Sequence, residues 1–104
     1  MPEFENRNGK LFVGDSRYKI DPKEVLCGFE SYSGWFWFAT EEAYKQDSVI
    51  DNKTVKDDTI YFGLTQGFEE EWGYFSKAEL ESLSPKIWKI KEQDLPYAGR
   101  RDQN

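Results

Sequence analysis

Trp35-Phe36-Trp37-Phe38-Ala39-Thr40 is the stretch that decides how this chain folds. A β-strand sends successive side chains to opposite faces. Read as a strand, the run puts Trp35 and Trp37 on one face and Phe36 and Phe38 on the other. A strand with one wet face alternates apolar with polar residues. A run that is aromatic on both sides therefore needs a sheet covered on both faces, or a ring-bearing face turned to a partner.

Working outward, Glu24 to Ser31 alternates, with Val25, Cys27 and Phe29 on one side. It reads as a strand joined to the aromatic run by Ser31-Tyr32-Ser33-Gly34, a hairpin loop. Ile60 to Thr65 is a strand with Ile60, Phe62 and Leu64 on one face, and Gly63 inside it signals a bulge or a close approach by a neighbouring ring. Gln66-Gly67 turns the chain into Phe68 to Phe75, with Phe68, Glu70, Trp72 and Tyr74 sharing a face. Ser76-Lys77-Ala78-Glu79 is a capping box. Phe75 and Leu80 are spaced as its hydrophobic staple, and Leu80 and Leu83 face the core of a short helix stopped at Ser84-Pro85. Leu11-Phe12-Val13, Tyr18 to Ile20 and Ile87 to Ile90 are shorter strand candidates, and Asp21-Pro22 breaks the chain between them.

Two stretches carry no such pattern. Residues 1–9 and 98–104 read as flexible ends, and residues 43–58, rich in Asp and Asn, read as a long loop or an insertion. The expectation is a single α+β domain: one antiparallel sheet of about five or six strands with one or two short helices packed on it.

Composition narrows the function classes. Of 104 residues, 17% are aromatic, so the core is built largely from rings. The net charge is −6, with 9 basic and 17 acidic side chains in residues 1–85 and 5 basic against 3 acidic thereafter. That balance disfavours a phosphate backbone and suits a basic protein partner. No histidine is present, which removes the commonest general base and metal ligand. The lone Cys27 forms no intrachain disulfide and fits a reducing cytoplasm. No apolar run reaches membrane-spanning length, and no signal-peptide pattern opens the chain. The glycines form no phosphate-binding fingerprint. The expectation is therefore a chain without cofactor or metal.

The candidate sites are surfaces. Glu69-Glu70-Glu71 beside Trp72 is the densest acidic cluster. Strand alternation sends Glu69 and Glu71 to one face and Glu70 to the other, the pattern of a charged sheet edge. Lys86, Lys89, Lys91, Arg100 and Arg101 are the alternative, as contacts to a single-stranded nucleic acid stacked on exposed rings. A carboxylate-based enzyme would need Glu41 and the Glu69 to Glu71 cluster to converge.

Several segments together resemble the domain-of-unknown-function 2958 family, whose members occur on plasmids, phages and integrated mobile elements. They are Trp35 to Glu41, Tyr61-Phe62-Gly63-Leu64, and Gly67 to Leu83 with its Gly73-Tyr74-Phe75-Ser76 turn into a helix. Asp21-Pro22 and Glu92-Gln93-Asp94-Leu95 add to the likeness, which covers roughly residues 21–97. This chain departs from the pattern in its N-terminal lead and over residues 43–58. It also has Phe36 where the family places a small polar residue between the tryptophans. The resemblance implies that Phe36 marks the more exposed face and that Trp35 and Trp37 point inward. It carries no catalytic residues. It implies a cytoplasmic accessory protein of a mobile element and, with the acidic charge, a non-enzymatic interaction module binding another protein. The expected interaction surface is Phe36, Glu69, Glu70, Glu71 and Trp72.

Overall fold

The computed structural model describes residues 1–98. Among these residues the fold is α+β, with eight antiparallel strands in two sheets and two short helices. The first sheet is a meander of β1 (Glu3–Arg7), β2 (Lys10–Asp15) and β3 (Ile20–Glu24). The expected flexible N-terminus is thus a strand. Its hairpin turns on Asn8-Gly9, both at positive φ, and Phe4 packs its ring edge-on against Phe38 at 5.2 Å. Pro22 lies within β3, an edge strand, where a missing N–H costs nothing. A 3₁₀ turn, Ser16–Tyr18, links β2 to β3.

Val25 is the crossing point between the sheets. Its N–H donates to Leu11 O at 2.8 Å in the first sheet, and the next N–H, of Leu26, donates to Ala39 O at 2.8 Å in the second. Val25 therefore stays between the sheets while Cys27 and Phe29 turn to the far side.

The second sheet holds β4 (Cys27–Ser31), β5 (Phe36–Ile50), β6 (Lys53–Gln66), β7 (Glu70–Ser76) and β8 (Ile87–Lys89), in the order β7-β6-β5-β4-β8. The expectation of one sheet of five or six strands describes this layer, and the N-terminal meander is a further one. Residues 43–58, expected as a loop or insertion, form the outer half of the β5–β6 hairpin and turn on Asp51-Asn52 at positive φ. Three register shifts interrupt this long ladder and add twist.

Helix α1 (Lys77–Ser82) covers one face of the five-stranded sheet; α2 (Leu95–Ala98) packs into the core on the other. The cap on α1 is as expected on one side: Ser76 Oγ accepts from Glu79 N–H at 3.0 Å. Asp58 supplies the rest, accepting from Ala78 N–H at 2.9 Å and from the hydroxyls of Ser76 and Ser48.

Each face of the aromatic run has its own core. Phe36 and Phe38 lie between the sheets with Leu11, Val13, Val25 and Leu64. Phe29, Ala39, Tyr61 and Leu80 form the second core under α1, with Trp37 and Phe75 at its margin. Each buried ring contributes about 1.5–3 kcal/mol.

Candidate interaction surface

The α1 face of the sheet is only partly covered by its helix. Trp35 and Trp37 lie there half-buried, ring centroids 6.0 Å apart. The Trp35 ring rests directly on Gly67, where a Cβ would come within 2.5 Å of it. Phe68 follows Gly67 and stands edge-on against Trp35 at 5.3 Å while 94% exposed. Outside β7, it leans to the opposite side from Trp72, contrary to the shared face expected of it. Tyr32 rises from the β4–β5 loop at 75% exposure. Ser31 Oγ holds that loop by accepting from Trp35 N–H at 3.1 Å and pairing with Ser33 Oγ at 2.9 Å.

Tyr32, Trp35, Trp37, Leu83 and Lys86 line a largely apolar depression of about 190 Å³. A second depression, of about 280 Å³, runs past Trp37 between α1 and the sheet to Phe75, Ser76 and Glu79. The two share Trp37, Leu83 and Ile87, so they form one groove. Leu83, expected in the core, is half-exposed on its wall.

Beside the groove the sheet carries small residues, of which Ala39 and Gly63 are buried and Gly73 is partly exposed. Ala39, Gly63 and Gly73 are register partners across three strands. A Cβ on Gly63 would lie 1.9 Å from the Phe38 carbonyl oxygen, so what approaches this glycine is backbone and not the neighbouring ring that a glycine here suggests. A Cβ on Gly73 would meet nothing within 4 Å. Glu71 lies opposite Thr65, itself opposite Trp37. Glu69, Glu71 and Glu79 are exposed and form no ion pair among the described residues.

The expected surface residues divide between the two faces. Phe36 is a correction: it is 3% exposed and stacks parallel to Phe38 at 5.6 Å. The N-terminal sheet covers this face, so a large apolar side chain is needed there, and the tryptophans occupy the wetter one. Glu69 and Glu71 are exposed near the groove rim. Glu70 points the other way, accepting from Gln66 Nε2 at 2.9 Å, while Gln66 Oε1 is buried without a hydrogen-bond partner among the described residues. The Glu69 to Glu71 carboxylates therefore diverge, and Glu41 is exposed opposite Phe62 on β5.

Trp72 is half-buried against the inter-sheet core, and its indole N–H donates to Asp15 at 2.9 Å. Asp15 is fully buried and takes two further bonds from the Arg17 side chain, at 2.6 and 2.9 Å. These Arg17 bonds hold its carboxyl well below the usual carboxylate range, against the opposing effect of burial. Phe62, Trp72, Tyr74 and Tyr44 continue as a ladder of rings along this second face.

The basic candidates do not converge. Lys86 borders the aromatic groove, whereas Lys89 and Lys91 line a separate cleft with Leu26, Cys27 and Glu92. Arg100 and Arg101 lie outside the described residues, as does the expected flexible end beyond Ala98, which is itself buried in α2. Burial pushes the Cys27 thiol pKa up, which disfavours the thiolate.

Two functional features escaped the sequence pattern. Asp58, in the polar stretch, is a buried carboxylate joining the root of the long hairpin to α1. That Tyr32 and Leu83 line one groove depends on tertiary placement that no local spacing reports. Among the described residues no group of three metal-ligating side chains is assembled, and no helix is long and apolar enough to cross a membrane. Comparison with known proteins found no matching family model, curated protein or solved structure.

Proposed function

We propose that this chain is a small non-enzymatic interaction domain that holds a segment of another protein in the aromatic groove beside α1. The observation that carries the reading is the contiguous set of rings its own fold leaves uncovered: Tyr32, Trp35 and Phe68, with Leu83 facing them. Scattered apolar side chains on a surface are ordinary, but a continuous patch with a groove is the signature of a docking site. Tryptophan and tyrosine are the side chains that contribute most at such sites. The resemblance noted above supports a cytoplasmic accessory role on a mobile element. Diverging carboxylates weigh against the enzyme reading.

Lys86 beside Trp35 favours a second reading, single-stranded nucleic acid stacked on the rings. Glu69, Glu71 and Glu79 around the same surface oppose it. Titration with single-stranded DNA at low salt separates the two, because stacking would quench tryptophan fluorescence.

A pull-down from host extract should recover a discrete protein that Phe68→Ser and Tyr32→Ser both release. Capture that neither substitution changes, or no specific capture, would count against the groove.

A further inference from the structure

We infer that an extended basic segment of a partner protein adds as a further strand along the free edge of β7, beside the end of the groove lined by Phe75, Ser76 and Glu79. This rests on the docking reading above and specifies the partner's chemistry. β7 ends the five-stranded sheet and pairs on one side alone, with β6, among the described residues. Seven residues offer about 23 Å of open ladder. An extended peptide completes such an edge through main-chain bonds, and its side chains alternate between the two faces.

The flanking chemistry selects the peptide. Glu69, Glu70 and Glu71 stand at one end of the strand, and Glu79 borders the groove at the other. Edge carboxylates discourage pairing with a second copy of the same acidic chain. They attract lysine and arginine, and Glu69, Glu71 and Glu79 have no cation of their own among the described residues.

Gly73 supplies the seat. It lies mid-strand opposite Gly63, with open space where its Cβ would be. A large apolar side chain from the added strand can lie flat across this gap toward Trp37. On the other face, the next side chain meets Tyr74, which is 65% exposed. The segment is therefore one of alternating basic and apolar residues.

The test is backbone NMR of the labelled chain titrated with a nine-residue peptide of alternating Lys and Leu, and with its Glu-for-Lys counterpart. The basic peptide should shift the amides of residues 70–76 and the Trp37 indole. Affinity should fall about tenfold or more with Glu71→Lys plus Glu79→Lys, in keeping with loss of charge-assisted contacts. Gly73→Leu should lose binding while keeping the wild-type fold, since its side chain enters open space. Equal binding of the acidic peptide, or shifts confined to the Lys89 and Lys91 cleft, overturns the inference. So does dimerisation of the free chain through β7. If neither peptide moves β7 while Phe68→Ser still releases the captured partner, this inference fails and the docking reading stands.

Discussion

The indole of Trp72, on β7 of the five-stranded sheet, donates to the carboxylate of Asp15, on β2 of the three-stranded sheet, across 2.9 Å. The bond spans 57 residues of chain and ties the two layers at their margin. Asp15 Oδ2 also takes the Arg17 guanidinium, so one buried oxygen serves both donors.

Trp72→Phe keeps a ring and removes the donor. It should cost about 1.5–3 kcal/mol, the worth of a hydrogen bond to a charged group. Asp15→Ala strands the indole N–H and should cost about 3 kcal/mol, the low end for a broken buried pair, because Arg17 can turn to water. The double variant should cost less than the sum. Urea denaturation of the four chains measures the coupling, and strict additivity would show that the bond contributes nothing.

Stability should fall in acid. The Asp15 carboxyl is held low chiefly by Arg17. At Asp58 burial pushes upward, and the bonds from Ser76, Ser48 and the Ala78 N–H outweigh it, leaving a lowered pKa. Both groups bind protons less readily folded than unfolded, where an aspartate titrates near 3.9. Their contribution is complete above about pH 5 and is lost as pH falls through the folded values. Asp15→Asn and Asp58→Asn should each lower the urea midpoint at pH 7 and flatten its decline between about pH 5 and 3. Parallel pH curves for wild type and variants would refute this assignment.

The paired glycines should behave oppositely. Gly63→Ala drives a methyl into the Phe38 carbonyl and should cost more than about 4 kcal/mol or prevent folding. Gly73→Ala meets nothing and should be neutral or stabilising by about 0.5–1 kcal/mol. Thermal melts of the two variants decide it.

The aromatic residues should separate into core and surface. Phe36→Ala should cost about 3–5 kcal/mol. Phe68→Ser should leave stability within about 0.5 kcal/mol, as expected of a surface substitution, and act only on partner capture. Equal destabilisation by both would mean that Phe68 is covered in solution.

The central sheet was legible because its strands alternate or carry a capped turn: Ile60 to Thr65 and the Ser76 cap lie where periodicity puts them. The outer hairpin was not, because both of its faces are largely wet and no apolar alternation survives there. Its Asp51-Asn52 turn, like Asn8-Gly9, is nevertheless a local signal of the type that hairpins require. The burial of Phe36 was illegible for a different reason. Alternation separates two faces without saying which is deeper, and the covering layer comes from residues 3–24 by way of a one-residue crossing. Of the site, Glu69 and Glu71 could be named from sequence, whereas Trp35 and Trp37 were expected to point inward and instead line the groove. Tyr32, Phe68 and Leu83 could not be grouped, because they come from three separate places, the β4–β5 loop, the β6–β7 connection and the end of α1.

That one-residue crossing at Val25 has a consequence for synthesis. Residues 3–24, just before it, form a local meander that can pair its backbone as soon as it leaves the ribosome. Its apolar side has nothing to close against until Phe36, Phe38 and Leu64 follow, and α2 adds Leu95 and Ala98 to the same layer last. β8 joins β4 only when residue 87 is available. The nascent chain therefore carries an unsealed greasy ribbon through most of its translation, and completion is a single late event. Ribosome-stalled chains ending before residue 87 should bind trigger-type chaperones, and the released chain should not.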